Sequence, residues 1–222
     1  MVKCDAWWLP DGESHLPEWM ARTDHRVDGR LTYQYHKYAL ALTQCARRQV
    51  AVDIGAHVGL WSYWMARDFE TLRAFEPKAE HRACWRQNVR ARPGVMLHPV
   101  ALGAEARRVG LQTGTVASSG NTWVRLDGSD VEMRTLDSFQ LPDVDFIKID
   151  CEGYEYAVLT GACETLARCH PAIIVEQKIG GGQRYGRGDQ DAVALLLEMG
   201  AEEICNLGWD FVMAFPEASR AA

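Results

Sequence analysis

The chain has 222 residues, of which 47% are hydrophobic and 24% are charged, and its formal net charge is −6. These values fit a single soluble domain. They disfavour nucleic acid as a partner, because proteins that grip phosphates usually present a basic face. No apolar run approaches the roughly 20 residues that span a bilayer, and no signal-peptide pattern is found. We therefore expect no membrane span and a cytoplasmic location.

Residues 1–48 differ in composition from the rest of the chain. Residues 1–30 are rich in Asp, Gly, Pro and Trp, and residues 31–48 show the spacing of a helix. Regular alternation of strand and helix patterns begins at residue 49. We predict an N-terminal segment over 1–48 that caps the substrate pocket of a main domain over 49–222.

Within the main domain, short apolar runs predict buried core strands, and the segments after them have helical spacing. The predicted strands are 49–54, 72–75, 95–102, 144–149 and 172–175, and the predicted helices are 58–67, 80–90, 154–168 and 191–199.

Two groups of strand-like segments interrupt this alternation. The segments 107–113, 121–126 and 131–136 have no helix between them and predict a small β insertion between core strands three and four. The segments 203–207 and 210–215 predict a terminal antiparallel pair. The fold class is therefore α/β, with a Rossmann-like, mainly parallel, doubly wound seven-stranded sheet that ends in an antiparallel strand. Such sheets bind ligands at the carboxyl ends of their strands.

The junction after the first core strand carries the clearest chemical motif. Gly55 and Gly59 let the backbone approach a ligand at the positive end of the following helix, and Glu76 follows 17 residues after Gly59, at the end of the next strand. An acid there can accept both hydroxyls of a ribose. Asp53 would repel a pyrophosphate but attract an ammonium group. A ligand with a ribose and an ammonium group but no phosphate fits, and S-adenosylmethionine is such a ligand.

Five segments, taken in order, resemble the FkbM-type methyltransferase family over roughly residues 48–178. They are VDIGAHVG at 52–59, FEP at 75–77, ALG at 101–103, RTLDSF at 134–139 and DFIKIDCEGYE at 145–155.

This resemblance implies a class I methyltransferase fold, S-adenosylmethionine as cofactor and, usually, a hydroxyl acceptor. Carried over by position, the first motif lines the methionine side, Glu76 binds the ribose, and Asp150, Glu152 and Gly153 lie beside the methyl group. His57 stands where the family often has Asn. The predicted cofactor-binding residues are Asp53, Gly55, Ala56, His57, Gly59, Glu76, Pro77, Ala101 and Asp150.

The end of core strand four indicates the type of reaction. Methyltransferases that act on amino groups of nucleic acids commonly carry an (Asn/Asp)-Pro-Pro-(Tyr/Phe) loop there, whereas this chain has Asp-Cys-Glu-Gly. A carboxylate can take the proton of a hydroxyl during methyl transfer. The expected acceptor is therefore a hydroxyl oxygen of a small molecule or glycan, with Asp150, Glu152 and His57 as candidate catalytic residues.

Several alternatives stay open at this point. Asp150, Glu176 and Gln177 offer oxygen ligands after strands four and five and could hold Mg²⁺, although Glu176 and Lys178 could equally form an ion pair at a strand end. The enzyme could methylate a nucleic acid base or a modified nucleotide. The domain could also bind S-adenosylmethionine without catalysis. The oligomeric state is open.

Overall fold

The computed structural model describes residues 1–216, so residues 217–222 of the predicted main domain lie outside the described residues. The N-terminal segment contains two small hairpins and two helices. Its elements are β1 (Val2–Cys4), β2 (Trp7–Leu9), α1 (His15–Thr23), β3 (Arg26–Val27), β4 (Arg30–Leu31) and α2 (Tyr35–Leu42).

The main domain follows the expected alternation. Its first half contains β5 (Val50–Ile54), α3 (Leu60–Asp68), β6 (Thr71–Phe75), α4 (Ala79–Asn88) and β7 (Val95–His98), followed by the insertion strands β8 (Ala101–Leu102), β9 (Arg107–Thr115), β10 (Ser118–Arg125) and β11 (Val131–Arg134). Its second half contains β12 (Val144–Ile149), α5 (Glu155–Thr160), α6 (Cys163–Cys169), β13 (Ala172–Glu176), α7 (Asp191–Glu198), β14 (Glu202–Asn206) and β15 (Asp210–Ala214).

The central sheet has seven strands in the order β14–β15–β13–β12–β5–β6–β7. The strands from β13 to β7 are parallel, and β15 is antiparallel to both of its neighbours. Every residue of β5, β12 and β13 is buried, as expected for strands covered by helices on both faces. The predicted fold class is confirmed.

The predicted third core strand, 95–102, is in fact two strands in two sheets. The chain leaves the central sheet after His98, and β8 pairs with β11 in the four-stranded insertion sheet. Pro99 lies between the two strands, and because proline has no N–H it cannot continue a sheet ladder. The insertion therefore begins earlier than the sequence pattern suggests.

Two predicted helices are shorter than expected. The helix predicted over 154–168 is divided into α5 and α6 at Gly161, where an added Cβ would lie 2.0 Å from the carbonyl oxygen of Gly103. This approach to the neighbouring segment displaces the chain from one helical axis. The helix predicted over 31–48 begins only at Tyr35, because Gln34 adopts a left-handed conformation with φ of 54°.

The N-terminal segment packs directly on the main domain. Trp7, Leu9 and Met20 form one buried cluster with Val58, which precedes α3, and with Leu60, the first residue of α3. Burial of such large side chains is the main favourable contribution to folding. The first 48 residues therefore share a hydrophobic core with the segment that carries the glycine motif. Among the described residues, no helix is long and apolar enough to cross a membrane.

The turn after β5 demands glycine at position 55. Gly55 has φ of 73°, and an added Cβ would lie 1.9 Å from the carbonyl oxygen of Asp150. We expect Gly55→Ala to lower the free energy of unfolding by about 3 kcal/mol, since it combines backbone strain with a clash against main chain. Gly200→Ala is the matched control, because Gly200 has φ of 91° but no atom within 4 Å of the added Cβ. The free energy of unfolding of Gly200→Ala, measured by urea denaturation, should fall by only about 1 kcal/mol. An equal loss of unfolding free energy in Gly55→Ala and Gly200→Ala would contradict the close approach of Gly55 to the main chain of Asp150.

Candidate functional site

A cavity of about 440 Å³ opens at the carboxyl ends of the central strands. Its floor comes from the ends of β5, β6, β12 and β13, and its roof comes from the N-terminal segment and the β9–β10 hairpin. Eight residues singled out from the sequence line it: Gly55, His57, Glu76, Pro77, Ala101, Asp150, Glu152 and Glu176. The structure thus brings most of the predicted site residues together around one space.

Five of the predicted residues do not line this cavity: Asp53, Ala56, Gly59, Gly153 and Gln177. Gly59 has a packing role, because an added Cβ would lie 2.8 Å from both Trp85 Cδ1 and Val89 Cγ2. Ala56 is buried in the hydrophobic cluster around α3 and α4.

Asp53 is fully buried beneath the glycine turn. Its Oδ2 accepts a hydrogen bond of 2.5 Å from Ser62, and its Oδ1 lies 3.6 Å from Nζ of Lys148. Burial raises the pKa of Asp53, and the Lys148 ammonium opposes that rise. The carboxylate thus faces a lysine of its own chain rather than the cavity.

Lys148 links two strand ends below the cavity. Its Nζ donates to the carbonyl oxygen of Gly55 at 2.8 Å and lies 3.6 Å from Oδ2 of Asp150. Burial favours the neutral lysine, but Asp150 and Asp53 outweigh it and raise the pKa of Lys148. A buried ammonium group therefore compensates the acids at the ends of β5 and β12.

Glu76 occupies the position expected for a ribose ligand. Its Oε2 accepts the main-chain N–H of His57 at 2.9 Å, and its Oε1 accepts the main-chain N–H of Lys78 at 2.8 Å. His81 Nδ1 lies 3.3 Å from the same Oε1. A carboxylate has about four lone-pair sites, so the fixed Glu76 side chain retains capacity for a ligand hydroxyl.

Three carboxyl groups meet at the ends of β12 and β13. Oxygens of Asp150, Glu152 and Glu176 all lie within 4.8 Å of one another. Lys178 forms ion pairs with two of these carboxyl groups, with Nζ 2.6 Å from Glu152 Oε1 and 3.0 Å from Glu176 Oε2. The strand-end ion pair that the sequence allowed between Glu176 and Lys178 is therefore present, with Glu152 as a further partner.

The three acids differ in their affinity for a proton. Burial and the neighbouring Asp150 charge raise the pKa of Glu176. Burial acts on Asp150 in the same direction, but the Lys148 and Lys178 ammonium groups outweigh it and lower the pKa of Asp150. Burial and Asp150 also raise the pKa of Glu152. The cluster thus has one firmly ionised member, Asp150, and two that hold a proton more readily.

Gln177 does not join this cluster. Its side-chain amide donates to Glu155 Oε2 at 3.3 Å, and its oxygen accepts the main-chain N–H of Ala192 at 3.1 Å. The structure directs the Gln177 side chain away from Asp150 and towards Glu155, in keeping with the alternation of side chains along an extended chain. Glu152 takes its place beside Asp150 and Glu176.

The histidines and the cysteine near the cavity have different surroundings. His57 lines the cavity, and burial together with His81 lowers the pKa of its ring. His98, at the end of β7, stacks on Phe75 with ring centroids 4.8 Å apart, and it is not among the lining residues. Cys151 lines the cavity, but burial and Glu155 raise the pKa of its thiol. A raised pKa disfavours the thiolate, in keeping with a packing role.

The roof contains two residues, Trp123 and Arg184, that no sequence pattern indicated. The β9–β10 hairpin contributes Trp123, whose ring lies 4.6 Å from the guanidinium of Arg184 in the glycine-rich loop after β13. Tyr185 donates to the carbonyl oxygen of Val124 at 2.8 Å. Lys148 could have been found, since a lysine inside an apolar strand indicates a buried ion pair. No comparable feature of the sequence indicates the contacts that Trp123 and Arg184 make in the roof.

A family comparison decides what kind of domain this is. The profile described as the methyltransferase FkbM domain matches residues 53–202. The chain belongs to the FkbM methyltransferase family. This confirms the resemblance inferred from the ordered motifs and the expectation of an S-adenosylmethionine-dependent methyltransferase domain.

Solved methyltransferase structures share the fold of this FkbM-family chain. A methyltransferase FkbM from Methylobacillus flagellatus KT has a TM-score of 0.50 and 18% identity, over 76% of this chain and 44% of that chain. This chain therefore spans less than half of the length of that relative. A putative O-methyltransferase from Klebsiella pneumoniae has a TM-score of 0.50 and 18% identity, over 89% and 86% of the two chains.

A precorrin-6y C5,15-methyltransferase from Geobacter metallireducens GS-15 also has a TM-score of 0.50, with 14% identity over 86% of this chain and 94% of that chain. At these identities the likeness is one of fold. No curated protein sequence is similar enough to count as a match.

The buried Glu155 carboxyl beneath the site should make stability depend on pH. Burial, opposed by hydrogen bonds from main-chain N–H groups, raises its pKa from 4.5 to about 7. Between these values the folded state holds a proton that the unfolded state has released. The free energy of unfolding should therefore fall as pH rises from about 4.5 to about 7, by roughly 3 kcal/mol.

Urea denaturation across this pH range compares the parent with Glu155→Gln, which cannot titrate and should show a shallower decline. Glu164→Gln, at an exposed position in α6, is the control and should behave as the parent does. An unchanged decline in Glu155→Gln would contradict the assignment to Glu155.

Proposed function

We propose that this protein transfers the methyl group of S-adenosylmethionine to a hydroxyl oxygen of a small molecule or glycan. The observation that carries the proposal is the carboxyl cluster of Asp150, Glu152 and Glu176, which shares one cavity with Glu76. A site that only bound the cofactor would not need acids at this strand end.

The cofactor fits the half of the cavity next to β5 and β6. Glu76 would accept hydrogen bonds from the ribose hydroxyls. Pro77, Val100 and Ala101 supply an apolar wall suited to the adenine ring. The turn at Gly55 lets the main chain approach the methionine portion. Asp53 supports this turn through Lys148, so its proposed part in binding is indirect.

The reaction is an in-line displacement, and it depends mainly on alignment of the acceptor oxygen with the methyl group. The O–C bond forms as the C–S bond breaks, sulfur keeps the electron pair, and S-adenosylhomocysteine leaves. We assign the hydroxyl proton to Glu152, because its raised pKa makes it a stronger base than Asp150. Asp150, which stays ionised, would stabilise the positive sulfonium.

A Mg²⁺ ion does not fit the side chains at this site. Glu152 and Glu176 each have one carboxylate oxygen in contact with the Lys178 ammonium group, at 2.6 Å and 3.0 Å, and that cation would repel Mg²⁺. The amide of Gln177 is committed to Glu155 and Ala192. The acid cluster is thus balanced by a cation of the chain itself, and the proposed mechanism contains no metal step.

Removal of the Glu76 carboxylate should weaken cofactor binding. S-adenosylhomocysteine should raise the Tm of the parent by mass action, and Glu76→Ala should lose most of this shift. Hydrogen bonds to a charged group contribute about 1.5–3 kcal/mol, so calorimetry should give a Kd about 10- to 100-fold weaker. Glu80→Ala is the control, since Glu80 is an exposed acid in α4, four residues after Glu76. A parent-like Kd for Glu76→Ala would refute the ribose assignment.

The methylated atom can be identified directly. The protein, [methyl-¹³C]S-adenosylmethionine and fractionated cell extract should yield a product whose ¹³C resonance is that of an O-methyl group. EDTA should leave the rate unchanged. Glu152→Gln should lower the rate at least about 100-fold while S-adenosylhomocysteine binding is retained, as expected for a lost general base. The exposed Glu105→Gln serves as control. An N-methyl or C-methyl product would overturn the proposed acceptor, and loss of activity in EDTA would overturn the metal-free mechanism.

A further inference from the structure

Three segments distant in sequence are joined by one hydrogen-bonded chain above the cavity. The main-chain N–H and the hydroxyl of Ser119, in β10, both donate to Oε2 of Glu13, at 2.6 and 2.5 Å. The same hydroxyl lies 2.8 Å from Nε2 of His57, which belongs to the glycine motif. Glu13 and Ser119 are both buried, with exposures of 6% and 3%. The chain therefore runs Glu13–Ser119–His57, from the N-terminal segment through the hairpin to the core.

Glu13 acts as a hydrogen-bond acceptor in the Glu13–Ser119–His57 network. It receives the two donors of Ser119 on Oε2 and the main-chain N–H of Leu16 on Oε1, at 2.9 Å. Neighbouring main-chain bonds hold the two segments together, because Ser14 N and His15 N donate to the carbonyl oxygen of Ala117 at 3.1 and 2.9 Å. The position of the Ser119 hydroxyl is therefore determined from both sides.

The number of protons available along the Glu13–Ser119–His57 hydrogen bonds determines the tautomer of His57. A serine hydroxyl has one proton, and Ser119 gives it to Glu13, so its oxygen can only accept from His57. Nε2 of His57 must then be the protonated nitrogen. The lowered pKa of His57 agrees with a neutral ring, so Nδ1 carries a lone pair. Within residues 1–216 we find no hydrogen bond to Nδ1, and His57 lines the cavity.

We propose that Glu13 and Ser119 are positioning residues of the cofactor pocket, which hold His57 as its Nε2–H tautomer so that Nδ1 accepts a hydrogen bond from a hydroxyl or ammonium group of the bound cofactor. His57 suits this role because its own main-chain N–H binds Glu76, which places its ring beside the proposed ribose site. The identity of the donor rests on the proposed function; the tautomer does not. The family match begins at residue 53, so Glu13 adds a part of the site from outside it.

The first experiment measures the tautomer. Long-range ¹H–¹⁵N spectra of protein labelled with ¹⁵N-histidine distinguish Nε2–H from Nδ1–H rings, and His57→Asn assigns the His57 signals. The ligand-free parent should show His57 as the Nε2–H form. Ser119→Ala removes the hydroxyl but keeps the main-chain bond to Glu13, and it should shift His57 to a mixture of tautomers. Ser118→Ala, at the preceding position, is the matched control and should retain the parent spectrum. An Nδ1–H ring in the parent, or an unchanged spectrum in Ser119→Ala, would overturn the proposal.

The second experiment tests the effect on binding, with S-adenosylhomocysteine as the probe. Its addition should move the Nδ1 resonance of His57 in the parent. Loss of the orientation of one hydrogen bond should raise the Kd of Ser119→Ala about three- to ten-fold in calorimetry, whereas the exposed Ser129→Ala, outside the cavity, should bind as the parent does. If the parent does not bind S-adenosylhomocysteine, the proposed function fails irrespective of the tautomer. If the parent binds it with no change at Nδ1, and Ser119→Ala binds equally tightly, the positioning role fails while the proposed function stands.

Discussion

The close approach of β5 to β12 at their carboxyl ends is the constraint on which the site depends. The carbonyl oxygen of Asp150 lies where a side chain at position 55 would begin, so only glycine allows the two strand ends to meet. Lys148 joins them from below through the carbonyl oxygen of Gly55 and the carboxylate of Asp150. This arrangement brings the glycine turn and the acid of strand four to one edge of the sheet.

Charge balance follows from the same approach. Buried carboxylates are stable only when a cation or hydrogen-bond donors compensate them. Lys148 compensates Asp53 and Asp150 below the floor of the cavity, and Lys178 compensates Glu152 and Glu176 at its edge. The two lysines thus divide the compensation, since Lys148 contacts Asp53 beneath the turn and Asp150 in the cavity cluster, whereas Lys178 contacts Glu152 and Glu176. This division explains why neighbouring carboxyl groups differ in the direction in which their pKa values are shifted.

The roof of the cavity is built from the N-terminal segment, the β9–β10 hairpin and the loop after β13. The N-terminal segment holds the β9–β10 hairpin through Glu13, and the loop after β13 holds the opposite side of the hairpin through Arg184 and Tyr185. The motifs that resemble the FkbM family therefore supply the floor of the cavity, whereas the insertion, the loop after β13 and the N-terminal segment supply its roof.

The sequence by itself determined the α/β class, the parallel core strands and the membership of Gly55, Glu76 and Asp150 in one site. It could do so because strand-end residues of a doubly wound sheet converge whatever the details of packing. Only the tertiary structure decided that Gln177 points away from the acids, that Asp53 meets Lys148, and that Glu13 reaches His57 through Ser119. Those contacts join positions up to 106 residues apart and depend on side-chain direction, and local spacing carries no information about either.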